Sequence, residues 1–249
     1  MIAIIPAAGC GSRLGRFLYA KELLTIAFAG DGNGGLRPVA AAEHSVNALK
    51  AAGVSRCLFV VSDSKLEIVR YFGNGTNFGM DFGYVVQASP GGLAEAVDTA
   101  FPWVQESDVC LALPDTIHKP SDAIARIRTE FVQRKSDVVL GIFPTSNPCE
   151  LGPVELGTDG QVLRVFEKPA STILKNTWGI AVWSPRFTTF LHNLIRNEGA
   201  KAAISIGEAF DRAISARYKI YGIYFDSGSY LDIGTPKGIK ELVNDGTLA

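Results

Sequence analysis

The sequence predicts a three-layer α/β/α protein, a mixed but mainly parallel sheet flanked by helices. Three observations carry that expectation. Short apolar runs alternate with longer segments of helical period, the rhythm of β-α-β units. The runs are nearly continuous rather than alternating, as strands covered on both faces require. The chain has 249 residues, 47% of them hydrophobic, enough for one large core.

In chain order, Ile2–Ile5 reads as the first strand and opens into a glycine-rich loop, Pro6 to Gly15. Strands are then expected at Cys57–Val61, Tyr84–Val86, Val109–Leu113 and Val138–Phe143, with helices at Arg37–Ala52, Ser64–Phe72, Gly92–Phe101 and Ser121–Arg134 between them. Gly30–Gly35, with four glycines in six residues, reads as a solvated loop without a role. Beyond residue 150 the pattern changes. Pro153–Gly157 and Val162–Glu167 flank an Asp159-Gly160 turn and read as a hairpin. After Trp178–Trp183, a helix from Arg186 to Asn197 aligns Phe187, Phe190, Leu191, Leu194 and Ile195 on one face. A second helix carries Ile206, Ala209, Phe210, Ala213 and Ile214, followed by a strand at Tyr218–Tyr224 and a closing helix at Pro236–Val243. There is no repeat, low-complexity linker or second core, so residues 1–249 are expected to form one domain.

Composition narrows the partners. Twenty-four basic against 25 acidic residues give a net charge of −1, with no long basic run. Nucleic acid and membrane surfaces are not expected partners, and the anion to be bound should be small. Cys10, Cys57, Cys110 and Cys149 are far apart with no C-x-x-C pair, which argues against zinc or a disulfide framework and for a reducing cytoplasm. The N-terminus carries no basic-then-apolar leader, and no run of about eighteen apolar residues occurs, so neither export nor membrane spanning is expected.

The glycine-rich loop holds the chemistry. Three glycines and two alanines in Ala7-Ala8-Gly9-Cys10-Gly11-Ser12-Arg13-Leu14-Gly15 leave backbone N–H groups unshielded for a polyanion, and Arg13 and Lys21 add mobile positive charge. A Walker A loop would need four residues between its glycines and an immediate Lys-Ser/Thr; here five separate Gly9 from Gly15, and Arg16 follows. The dinucleotide fingerprint is one residue too long, with Arg13 where helix should pack on strand.

Ala7 to Leu14 followed by Lys21-Glu22-Leu23-Leu24 resembles the sugar-1-phosphate nucleotidylyltransferases, most closely the branch of glucose-1-phosphate thymidylyltransferases and uridylyltransferases. Gln87 to Ala94, Leu113-Pro114-Asp115, Glu167-Lys168-Pro169 and Leu231-Asp232-Ile233-Gly234-Thr235 follow in the family's order. The resemblance implies the Rossmann-like fold of nucleotide-diphospho-sugar transferases, with residues to about 145 holding the nucleotide and 146–249 the sugar. It implies nucleotidyl transfer from a nucleoside triphosphate, dTTP or UTP, to a sugar 1-phosphate, with Mg²⁺ and loss of pyrophosphate. It is compatible with a homo-oligomer.

The implied roles fall on specific residues. Arg13, Lys21, Asp115 and Lys168 would be catalytic. Ala8, Gly9, Gly11, Ser12, Arg13, Gln87 and Gly92 would bind nucleotide, the Gln87 amide matching the donor and acceptor edge of a pyrimidine. Gly152, Glu167, Lys168 and Gly179 would line the sugar-phosphate site. Asp115 and Asp232 would hold the metal, since Mg²⁺ favours one or two carboxylates completed by phosphate and water. Each also has a plain structural reading: turn glycines, capping aspartates, a surface Glu-Lys pair. The chain departs from the family at Cys10, at Glu22 in place of a glutamine, and in a reduced acidic motif at Ile204-Ser205-Ile206-Gly207-Glu208. It also ends at Ala249 without the carboxyl-terminal extension of many relatives, so end-product control is not expected. Two alternatives stay open: another phosphorylated acceptor such as phosphocholine, and a non-catalytic nucleotide-sugar sensor.

Overall fold

A computed structural model describes residues 1–15, 19–32, 34–89, 91–198 and 204–244. β1 (Ile2–Pro6) runs into the glycine-rich loop, where residues 12–14 make a single 3-10 turn and residues 21–23 another. A hairpin follows, β2 (Thr25–Gly30) with β3 (Leu36–Ala40), and then α1 (Ala41–Ala51), β4 (Arg56–Val61), α2 (Leu66–Phe72) and β5 (Asp81–Val86). Next come α3 (Gly92–Thr99), α4 (Phe101–Val104), β6 (Val109–Ala112), β7 (Thr116–Lys119), α5 (Ala123–Arg134) and β8 (Val138–Pro144). The final third holds β9 (Val154–Leu156), β10 (Val162–Val165), β11 (Asn176–Trp183), α6 (Pro185–Glu198), α7 (Ile206–Ser215), β12 (Ile220–Tyr224), β13 (Ser229–Asp232) and α8 (Pro236–Asn244).

Seven strands form the central sheet in the order β12-β8-β11-β6-β1-β4-β5. All pairings are parallel except those of β11, which is antiparallel to both β6 and β8. The continuous apolar runs are explained by burial on both faces. Ile2 and Ile4 point into one core, with Val97 of α3, Phe187 and Leu191 of α6, and Phe210 of α7. Ala3 and Ile5 point into the other, with Val46 and Leu49 of α1, Ile68 of α2, and Ile124 and Ile127 of α5. A small third cluster, Ile26, Ala41, Ile233 and Leu242, seats α8 beside the hairpin.

Three departures from the sequence expectation have local causes. The helix expected from Arg37 starts at Ala41, because Leu36–Ala40 is a strand paired antiparallel with Thr25–Gly30. Pro38 lacks an N–H and holds its predecessor extended, and the Glu43 carboxylate accepts the Ala40 N–H at 3.0 Å as an N-terminal cap. The helix expected over Gly92–Phe101 ends at Thr99, and α4 begins at Phe101 ahead of Pro102. The antiparallel pair β7 and β13, which couples Thr116 to Asp232, has no counterpart among the expected strands.

No helix among the described residues is long and apolar enough to cross a membrane.

Candidate active site

The loop after β1 is built to keep its backbone bare. Ala7 N–H reaches Val60 O at 2.7 Å, tying the loop's start to β4. Gly11 and Gly15 bracket the 3-10 turn at φ +66° and +71°, a region costly for other residues. Nothing lies within 4 Å of where a Gly9 side chain would begin. Ala8 is buried and Ser12 exposed. Beneath the loop, Lys65 Nζ donates to Ala7 O at 3.0 Å and to both Glu22 carboxylate oxygens at 2.9 Å. Glu22 is 1% exposed and Lys65 8%. Burial pushes the Glu22 carboxyl up from its ordinary value, against the pull of Lys65. Glu22, a departure from the family pattern in the sequence, is therefore half of a buried brace for the loop.

Two carboxylates and two cations meet above this brace. Asp115 lies in the turn between β6 and β7, at the carboxyl end of a parallel strand, where open α/β sheets place ligands. Asp232 ends β13, and the Ile233 N–H on Asp115 O at 2.9 Å holds the two segments together. Lys21 Nζ donates to Asp115 Oδ2, and Arg13 donates to Asp232 Oδ2 at 2.7 Å. Burial draws the Arg13 guanidinium down, but Asp232 and Asp115 outweigh it and leave the group raised.

Gly234 explains why the four can converge. A Cβ there would stand 2.5 Å from Asp115 Oδ2, 2.8 Å from Asp232 Oδ1 and 3.0 Å from Lys21 Nζ. The position is kept bare where three charges crowd together. Two carboxylates around an open cradle suit a hard divalent cation that completes its shell with phosphate oxygens and water. Among the described residues no group of three or more His, Cys, Asp or Glu could hold a metal by itself. Asp115 and Asp232 are two carboxylates of the kind a divalent cation takes, its remaining ligands being left to phosphate and water.

Arg13, Asp115 and Asp232 open onto a cavity of about 390 Å³, within the range of small-molecule sites. Its lining includes Arg13, Gly91, Gly92, Asp115 and Asp232 together with Glu150, Gly152, Glu167, Lys168, Trp178 and Ser205. Lys168 adopts φ +43° with its N–H on Leu151 O at 2.9 Å, and its side chain is 66% exposed. The Glu167 carboxyl is pushed up by burial, with partial relief from Ser205 and Lys168. Tyr230, also on the wall, is pushed up by burial and then by Asp232.

Of the residues expected in the site, Ala8, Gly9, Gly11, Ser12, Lys21, Gln87 and Gly179 are not part of this cavity's lining. Gly179 does not line the cavity: it is buried in β11, and a Cβ there would stand 2.6 Å from the Tyr230 ring. The bare position leaves room for that ring. Gln87 is half-buried at the end of β5, its N–H on Val61 O at 2.8 Å, and it too is absent from the cavity lining. Pro90 lies outside the described residues. Sequence reasoning missed Tyr230, Glu150 and Lys65. Tyr230 stands two positions before Asp232, and the unrecognised β13 hid it; Lys65 gave no local signal.

The sequence model of the nucleotidyl transferase family matches residues 36–247. The chain belongs to this family. Its matched span starts after the glycine-rich loop, so the loop's part rests on geometry. Among nucleotidyl transferases, a glucose-1-phosphate thymidylyltransferase from Streptomyces griseus is 32% identical over 174 residues, covering 68% of this chain and 45% of that protein. The low-salt glycan biosynthesis nucleotidyltransferase of Haloferax volcanii is 25% identical over 97% of this chain and 64% of the relative. A glucose-1-phosphate thymidylyltransferase from Neisseria meningitidis is 25% identical, over 97% of this chain and 81% of its own length. The chain spans less than half the length of the Streptomyces relatives.

Solved structures share the fold. A Bacillus anthracis protein assigned as a glucose-1-phosphate thymidylyltransferase, crystallised with sucrose, superposes with TM-score 0.85 at 21% identity, over 99% of this chain and 96% of that one. A UDP-glucose pyrophosphorylase from Acinetobacter baumanii superposes with TM-score 0.77 at 19% identity, over 97% and 91%.

Proposed function

We propose that this chain transfers a nucleotidyl group from dTTP or UTP to a sugar 1-phosphate, forming a nucleoside-diphosphate sugar and pyrophosphate. The observation that carries it is the convergence of Asp115, Asp232 and Lys21 on the bare position of Gly234, with Asp115, Asp232 and Arg13 lining one cavity together with Lys168. Residues to about 145 would hold the nucleotide and 146–249 the sugar.

The chemistry needs positioning and charge neutralisation more than covalent help. A phosphate oxygen of the sugar 1-phosphate attacks the α-phosphorus, and the bond from that phosphorus to the bridging oxygen breaks, its electron pair leaving with pyrophosphate. Arg13 and Lys21 are now balanced by Asp232 and Asp115, so a triphosphate can claim the cations only as the carboxylates find another partner. Asp115 and Asp232 would hold Mg²⁺, which when bound supplies positive charge to the phosphate oxygens. The bare loop from Ala8 to Ser12 offers backbone N–H groups to the triphosphate. Lys168, an exposed cation in the same cavity lining, draws in the sugar phosphate and offsets repulsion between the two anions. The free thiols of Cys10, Cys57, Cys110 and Cys149 fit a cytoplasmic enzyme.

The test is pyrophosphate release over a matrix of five nucleoside triphosphates and several sugar 1-phosphates. We expect dTTP or UTP with glucose 1-phosphate or a close analogue to react, and Asp115→Asn to lose about 10²–10³-fold in kcat with unchanged circular dichroism. Silence over the whole matrix, or near-normal turnover by the variant, would overturn the assignment.

A further inference from the structure

The sugar side of the cavity contains a donor without an acceptor. Trp178 is 7% exposed, and its indole N–H has no hydrogen-bond partner among the described residues. The other two indoles differ: Trp183 donates to Thr188 Oγ1 at 2.9 Å, and Trp103 is exposed. An unmet buried donor is costly, so its retention in a cavity wall points to a ligand acceptor.

The fold aims this N–H deliberately. β11 slips register between Trp178 and Ile180, a bulge that redirects the side chain. The indole meets the Phe210 ring edge-on, at 5.5 Å and 89°. Two glycines border the N–H edge. A Cβ on Gly152 would collide with Nε1 and stand 2.7 Å from Cδ1. A Cβ on Gly207 would stand 3.6 Å from Nε1 and 2.7 Å from Glu167 Oε2, so the indole donor and the carboxylate acceptor flank one niche. Nε1 has almost no open surface, and Glu167, whose side chain is 34% exposed, is the movable group beside it.

A donor and an acceptor side by side match a hydroxyl, which accepts from one and donates to the other. Building on the proposed sugar-1-phosphate reaction, we propose that one sugar hydroxyl is held between the Trp178 N–H and the Glu167 carboxylate. Trp178 thereby determines specificity for a hydroxylated acceptor. A quaternary ammonium such as that of phosphocholine has no lone pair to offer this N–H.

Three tryptophans make a direct readout practical. The full-length protein with ¹⁵N-labelled indoles gives three N–H resonances, and Trp178→Phe assigns the relevant one. The probe is the sugar 1-phosphate with the highest turnover, glucose 1-phosphate being the first tested. We expect its addition to shift the Trp178 resonance downfield while Trp183 and Trp103 stay in place. One monodeoxy analogue should fail to produce the shift and should lose about 10- to 100-fold in kcat/KM. Trp178→Phe should abolish discrimination at that position alone, leaving the KM for the nucleotide unchanged. Gly207→Ala, which narrows the niche, should weaken the probe in the same way if the aromatic variant folds poorly. A probe that turns over without moving the Trp178 resonance overturns this inference and leaves the proposed reaction standing. A Trp178 shift with no pyrophosphate from any pair supports the niche and overturns the reaction. A shift induced by phosphocholine overturns the hydroxyl assignment.

Discussion

Gly234→Ala is the sharpest perturbation the site permits. The backbone at Gly234 does not occupy the positive-φ region that excludes a side chain, so the change tests space rather than strain. The new methyl would stand 2.5 Å, 2.8 Å and 3.0 Å from Asp115 Oδ2, Asp232 Oδ1 and Lys21 Nζ, all below ordinary contact distance. All three are ends of side chains, so they can swing aside, and the cost to stability should stay near the ~1–3 kcal/mol typical of modest overpacking. The cost to function should be larger. Spreading the carboxylates removes the common point where a cation could touch both, and loss of one such preorganised contact costs about 2.7–4 kcal/mol, or 10²–10³-fold in rate. The assay is pyrophosphate release at saturating Mg²⁺ with a thermal melt on the same sample. A variant that melts within a few degrees of wild type and retains half its kcat/KM would refute the metal-site geometry.

Other expectations follow from burial. Lys65→Met should leave the Glu22 carboxylate unpaired in the interior and cost about 3–5 kcal/mol; at roughly 2–4 °C per kcal/mol for a chain this size, the melting point should fall by about 6–20 °C, and a drop under 2 °C would show that the pair is not a brace. Gly179→Ala should push against the Tyr230 ring and cost about 1–3 kcal/mol in urea unfolding. In Glu43, burial raises the carboxyl, but hydrogen bonds from Arg37, Tyr71 and the Ala40 N–H more than offset it and hold it below its ordinary value. A depressed carboxyl adds stability above its unfolded value of about 4.3, lost as pH falls through the folded one. Urea midpoints from pH 7 to 3 should therefore fall less steeply in Glu43→Gln than in wild type, and parallel curves would contradict that linkage.

Much of this was legible residue by residue. Ile2–Ile5 read as a strand because four apolar residues in a row need two covered faces, and the structure gives Ile2 and Ile4 to one core, Ala3 and Ile5 to the other. The helical stripe from Phe187 to Ile195 was equally clear, since its spacing is a local property. Lys168 and Asp115 could be singled out because each follows an apolar strand at its carboxyl end. Gly179 does not line the cavity, which the sequence could not show: a glycine against a cavity and a glycine beside a tyrosine ring look the same in sequence. Gln87 is likewise outside that lining, and an amide after a strand carries no sign in sequence of which way it faces.

The sequence by itself determined the layers, because strand and helix periodicities are set within a few residues and each run of apolar side chains dictates how many of its faces must be covered. Only the tertiary structure decided the site. Arg13 meets Asp232 across 219 positions and Lys21 meets Asp115 across 94. No local pattern encodes such separations; they follow from the order of strands in the sheet, from the unforeseen β7–β13 pair, and from one glycine small enough to let opposite charges close around it.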